Sequence, residues 1–224
     1  MRPILRISIL LVLLATSAPF LISAARPSAD AAGTKAAQQI DRQTFREAMR
    51  QVWEDHITWT RLVIVSKVTL PGDLPDLDVT VDRLLQNQVD IGDAIEPFYG
   101  TAAGDQLTAL LTGHIVIAAD ILAAAKAGDT AAVEAAIAAW HQNGNEIAAF
   151  LNTANPRFWP LHEMDHMMRE HLDITLAEAV ARLEGRYADD VAAYEEVHRQ
   201  ILAMADMLSD GIIQQFPQRF SGAR

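Results

Sequence analysis

Apolar residues recur every three or four positions along nearly all of this chain, and proline or glycine punctuates each run. A period of 3.6 sustained over twenty residues or so admits helices and excludes strands. Phe45, Met49, Val52, Trp53, His56, Thr60 and Val63 mark one such line, which Pro71-Gly72 and Pro75 must end. A second passes through Leu77, Val81, Leu84, Gln88, Ile91 and Ile95 and stops at Gly100. Leu107, Leu110, Leu111, His114, Ala118, Ile121 and Leu122 mark the third, before the turn Gly128-Asp129-Thr130. Asp129 or Thr130 then caps a fourth helix, with Val133, Ile137, Trp140, Ile147 and Leu151 inward, which Asn155-Pro156 breaks.

The spacing predicts helices over about 41–70, 77–99, 102–127 and 130–152. Pro160 opens a short fifth helix. Asp173 or Thr175 then caps a last helix reaching about Gln215, with Leu176, Val180, Leu183, Tyr187, Asp190, Tyr194, Val197, Ile201 and Leu208 on its stripe. The expected fold is all-α: an antiparallel helical bundle of about five to six helices, most of them long, with the first packed alongside. Abundant alanine and few strand-forming runs agree with it.

The first 25 residues read as an export segment. Arg2 and Arg6 precede the apolar run Ile7–Ala15, and Ser23-Ala24-Ala25 is a small-residue cleavage site. The stretch serves as a signal peptide, or as an N-terminal membrane anchor if it is retained, since it is just long enough to span. Residues 26–40 read as a flexible leader, 41–217 as the bundle and 218–224 as a tail. The expected location is exported: periplasmic or extracellular, or held at the membrane by this segment alone. Loss of Arg2 and Arg6 takes the formal charge from −11 to −13. Such an acidic surface argues against nucleic acid and anionic membrane as partners. There is no cysteine, so no disulfide supports the exported fold, and the core or a bound metal must do so.

Chemistry concentrates between Trp159 and Thr175, a stretch with three of the seven histidines and three of the seven methionines. It contains His162-Glu163-Met164-Asp165-His166, an H-E-x-x-H. On a helix His162 and His166 share a face and can share one Zn²⁺, with Glu163 as general base of a zinc hydrolase. The longer form of that motif is missing, because Arg169 and Leu172 stand where glycine and histidine belong. Glu163-x-x-His166 and Glu195-x-x-His198 also match the carboxylate–histidine halves of a di-iron bundle. Met164, Met167 and Met168 among the histidines suit copper, and equally suit a core.

Four further histidines are expected to face inward: His56, His114, His171 and His198, one from each of four helical segments. A buried imidazole needs a partner, and a bundle can bring such residues to one point. Asp90 and Asp206, near the seams, are candidate acidic ligands, and Asp189 and Asp190 stand beside them. The metal would be zinc, copper or iron. No nucleotide loop, dinucleotide fingerprint, G-x-S-x-G or cysteine nucleophile is present.

Short echoes suggest an internal duplication. His56-Ile57-x-x-Thr60 matches His171-Leu172-x-x-Thr175, and Ala118-Ala119-Asp120-Ile121-Leu122 matches Met204-Ala205-Asp206-Met207-Leu208. The offsets between the echoing pairs differ, and a repeat needs a fixed period.

The strings WEDHITWTR (53–61), NQVDIGDAIEPFYG (87–100), HIVIAADIL (114–122), NEIAAFLNTANP (145–156), EHLDIT (170–175) and ADMLSDGIIQQFP (205–217) together resemble a family of small exported or membrane-anchored bacterial helical proteins with no established function. The resemblance covers most of the chain after the export segment. Some members carry names such as acetylglutamate kinase or glycosyltransferase, and no residue pattern here supports either activity. It implies importance for His56, Asn87, Asp90, His114, His171 and Asp206, and it leaves His162 and Glu163 outside its motifs. The functional expectation is an exported metal-binding bundle without catalysis. A zinc hydrolase on H-E-x-x-H and a ligand-free structural or partner-binding bundle are the alternatives.

Overall fold

The computed structural model describes residues 39–69 and 72–222. The export segment, and the leader up to residue 38, lie outside them. Among the described residues the chain forms α1 (Arg42–Val68), α2 (Leu77–Tyr99), α3 (Thr101–Ala127), α4 (Thr130–Ala154), α5 (Leu161–Leu183) and α6 (Tyr187–Gln215). The all-α bundle read from the spacing is what forms.

Local chemistry sets most boundaries. Asp41 Oδ1 accepts a bond from Thr44 N at 2.9 Å at the start of α1, and Asp129 Oδ1 accepts one from Ala132 N at 3.0 Å at the start of α4. Each satisfies a helical N–H that has no partner within its helix. The expected short fifth helix is not found. Asp173 and Thr175 cap nothing, and α5 runs unbroken from Leu161 to Leu183. The chain turns instead at Glu184-Gly185-Arg186, where Gly185 takes φ 73°, a conformation that strains any side chain with a Cβ. Val180 and Tyr187, expected inward on one stripe, flank that turn and are exposed.

Each helix packs on the next, and α6 returns to α1, so the six close a ring. Short connections make neighbours antiparallel. The ring is therefore three hairpins, α1–α2, α3–α4 and α5–α6, and α1, α3 and α5 run the same way. α2 and α3 approach closely where Gly92 faces Gly104: a Cβ on Gly92 would meet Gly104 O at 2.7 Å. α3 alone among the described residues is long and apolar enough to cross a bilayer, and here it packs between α2 and α4.

The three hairpins repeat one pattern. His56, His114 and His171 sit at matching points of α1, α3 and α5, spaced by 58 and 57 positions. Seven residues before each lies a buried Met49, Leu107 or Met164, and three before each a buried Trp53, Leu111 or Met168. Eight after each lie Ile64, Leu122 and Ala179, which pack into one small apolar cluster. The second helices match too: Leu84, Trp140 and Val197 are buried, and so are Ile91, Ile147 and Met204 seven residues further on. Of the echoes in the sequence, His56–Thr60 and His171–Thr175 fall at matching points of this pattern, whereas Ala118–Leu122 lies on α3 and Met204–Leu208 on α6 and they do not correspond.

Within the expected tail, residues 218–222 are tied to the bundle. Phe220–Ser221 pair in parallel with Ile40–Asp41, and Phe220 stacks on Phe98 with ring centroids 5.5 Å apart. This contact ties the two ends of the bundle together.

Candidate functional site: three buried histidines on one axis

The matching positions on α1, α3 and α5 bring His56, His114 and His171 together inside the ring. Each is at most 4 % exposed. The His56 and His171 ring centroids lie 6.0 Å apart, and those of His114 and His171 lie 6.2 Å apart. All three line one cavity of about 50 Å³, closed mainly by aliphatic side chains and Trp140.

In two of the three hairpins the second helix supplies an amide that bonds the histidine. Asn143 on α4 donates from Nδ2 to Leu110 O at 3.1 Å, which turns its Oδ1 toward His114 Nδ1 at 3.0 Å. Gln200 on α6 donates from Nε2 to Met167 O at 3.0 Å, and its Oε1 meets His171 Nδ1 at 3.2 Å. In the first hairpin Asn87 donates from Nδ2 to Val52 O at 2.9 Å. Val52, Leu110 and Met167 each stand four residues before their histidine, so the three amides are anchored alike. His56 Nδ1 is buried without a hydrogen-bond partner among the described residues, with Asn87 and Gln88 beside it.

These bonds decide the chemistry of the rings. A carbonyl oxygen can only accept, so Nδ1 of His114 and His171 carries the proton and Nε2 carries the lone pair. Burial disfavours the charged form of all three. It lowers His114 to about 3, helped by the nearby His171, and His171 to about 4. His56 is pushed well below the ordinary histidine value by burial and then by His171 and His114. The site therefore presents neutral imidazoles at any ordinary pH.

A buried charge cluster lies one helical turn beyond. Arg61 donates to Glu178 Oε1 at 2.9 Å and, through both terminal nitrogens, to Asp190. Arg182 reaches Asp190 Oδ2 at 3.3 Å. Burial pushes Glu178 up to about 7. Burial also works against the Asp190 carboxylate, but Arg61 and then Arg182 outweigh it and hold Asp190 below its ordinary value.

The other expected ligands sit elsewhere. The inward face of α5 runs through Met164, Met168, His171, Leu172 and Thr175. His162, Glu163 and His166 therefore point outward, and His162 Nε2 rests 3.1 Å from Glu163 Oε1 with both side chains exposed. Met164 and Met168 are core residues. His198 is not inward: α6 buries Val197, Gln200, Ile201 and Met204, which turns position 198 toward Glu54 Oε1 at 2.8 Å. Glu195 is exposed, so the two carboxylate–histidine halves do not meet inside the bundle. Asp90 pairs with Arg83, and Asp206 with Arg50, on the outside of the ring. Asp189 pairs with Arg186 at the surface.

Sequence reasoning missed the amides Asn143 and Gln200 and the roles of Arg61 and Thr175. One signal was available: 29 residues separate His114 from Asn143 and likewise His171 from Gln200.

Three imidazoles on one tetrahedral ion, with metal–nitrogen bonds of about 2.0 Å, place their ring centroids about 5 Å apart. The His56–His171 and His114–His171 pairs each need to close by about 1 Å to reach that. As they stand, no three histidine or acidic side chains among the described residues are gathered to coordination distance. The chemistry of the donors fits better than their spacing, because a ligating histidine commonly gives its other N–H to a carbonyl oxygen, as His114 and His171 do. No known protein family, curated protein or solved structure matches the chain.

Proposed function

We propose that the protein binds one transition-metal ion, zinc, copper or iron, on His56, His114 and His171. The observation that carries this reading is the triple arrangement itself. One hairpin design is used three times, and each copy turns an imidazole held beside a side-chain amide toward a common axis. Apolar residues of similar volume fill such a layer without partners, as Ile64, Leu122 and Ala179 do where the same three helices meet further along. Imidazole nitrogen suits all three metals. The export segment read from residues 1–25 supports binding outside the cytoplasm.

A structural reading has one observation in its favour. The two measured ring pairs stand about 1 Å wider than a shared ion requires, which suits histidine–amide pairs that only lock their hairpins.

Thermal melting with and without chelator separates the two. A ligand that binds only the folded state raises its stability. The metal reading expects melting of the purified chain to fall with chelator and recover with Zn²⁺, Cu²⁺ or Fe²⁺, and His114→Leu to respond to neither. A parent chain indifferent to chelator and to all three ions sinks the metal reading at this site.

A further inference from the structure

The cavity is larger than an ion, and besides His56 Nδ1 its lining residues carry one polar atom, Thr175 Oγ1, without a hydrogen-bond partner among the described residues. We propose that the metal on His56, His114 and His171 keeps one coordination position open to the cavity, and that Thr175 Oγ1 hydrogen-bonds a small exogenous ligand bound there. The proposal rests on the metal-binding reading above and adds a ligand class to it.

Size comes first. The cavity holds about 50 Å³, against roughly 10–15 Å³ needed for one water. One ion leaves room for a ligand of only about one to three non-hydrogen atoms. Donor count comes second. Besides the three histidines, the cavity lining offers two hydroxyls, Thr60 and Thr175, and no carboxylate. A three-ligand site is the arrangement in which a fourth position stays free for water or another small ligand.

The third observation is a break in the threefold repeat. Thr60, Ala118 and Thr175 occupy the same place, four residues after their histidines, and all three line the cavity. Thr60 Oγ1 donates back to His56 O at 2.8 Å, the ordinary resting bond of a helical threonine. Ala118 has no polar group. Thr175 Oγ1 is buried and has no hydrogen-bond partner among the described residues. A hydroxyl both donates and accepts. So a single polar contact is available beside the three imidazoles, and it sits on α5. The far wall, Ile64, Leu122 and Ala179, is apolar. Together these features select a small ligand with one hydrogen-bonding end: water, hydroxide or a compact anion.

The test uses the full chain loaded with Co²⁺, whose visible absorption reports its coordination, and sodium azide as the probe. Azide is expected to shift and intensify the cobalt bands saturably. Thr175→Val should take up Co²⁺ in the same ratio and bind azide about tenfold more weakly, the scale of one lost hydrogen bond. Thr175→Ser should restore the parent affinity. Thr175→Ala, which copies Ala118, repeats the comparison without a branched side chain. A cobalt-loaded parent whose spectrum ignores azide overturns the open position while leaving the metal site standing. Equal azide affinity in the parent, Thr175→Val and Thr175→Ala overturns the role of Thr175. A parent that takes up no Co²⁺ overturns the metal reading, and this proposal with it.

Discussion

Two sets of histidines on this chain differ in nearly everything that matters to a ligand. His162 and His166 share a helix, a four-residue spacing and a glutamate between them, and they look outward with exposed side chains. His56, His114 and His171 lie on three helices, more than fifty residues apart, yet their neutral rings meet inside the bundle, and His114 and His171 have fixed amide partners there. Spacing along one helix says which residues share a face. It does not say which way that face points. On α5 the burial of Met164 and Met168 decides the matter, since they fall on the opposite side from the motif and the core takes them.

The largest expected difference is in acid. His114 and His171 titrate near 3 and 4 when folded, because of burial, and near 6.5 when unfolded. The unfolded chain therefore takes up more protons below pH 6.5. Stability is fully present above that pH and is lost as pH falls toward 4 and then 3. His171 alone accounts for about 3 kcal/mol of this loss, since each tenfold difference in proton affinity between the folded and unfolded chain is worth about 1.4 kcal/mol. Glu178 works the other way: raised to about 7 by burial, it adds stability below pH 4.5 that is lost as pH rises through 7. Urea denaturation of metal-free protein from pH 4 to 8 should show an acid loss that is shallower in His171→Gln and steeper in Glu178→Gln, which lacks the opposing decline between pH 4.5 and 7.

His114→Ala comes next. It opens space beside the cavity and strips Asn143 Oδ1 of its partner, so it should destabilise the fold by about 2–4 kcal/mol by chemical denaturation. An unchanged midpoint would remove His114 from the core account.

Replacing Gln200 with Leu sharpens the comparison at the level of the amides. It frees the His171 ring to turn and to change tautomer, and metal affinity should fall roughly 10–100-fold with the fold retained. Titration of Zn²⁺ into each protein measures this, and equal affinities would show that the amides serve packing alone.

The smallest effect belongs to the outward motif. His162→Ala and Glu163→Gln should each move stability by no more than about 0.5 kcal/mol and leave metal content unchanged. A zinc-dependent peptidase activity of the parent that Glu163→Gln abolishes would contradict the ranking of the two sites.

The helices are legible in the sequence wherever glycine or proline closes an apolar run. The reading of α2 as 77–99, between Pro75 and Gly100, coincides with the helix that forms. The α5–α6 boundary is not legible, because Asp173 and Thr175 are good capping residues by type, and only their packing shows that they sit within a helix. His56, His114 and His171 can be read as inward from their apolar neighbours. His198 misleads because Tyr194 lies one turn away from it on the expected stripe, while α6 centres its buried face on Val197, Ile201 and Met204. The amides cannot be picked out from residue type. Asn143 and Gln200 resemble any polar helical residue until the register of each hairpin sets them opposite a histidine, 29 positions back.

The central claim is that the inner histidines, and not the outer pair, form the binding site. Zn²⁺ titration by calorimetry into three proteins tests it most directly: the parent, a triple variant His56→Gln, His114→Gln, His171→Gln, and a double variant His162→Gln, His166→Gln. The account predicts one ion per chain in the parent and the double variant, with matching affinity, and no binding by the folded triple variant. Binding that survives in the triple variant and disappears from the double variant would contradict it.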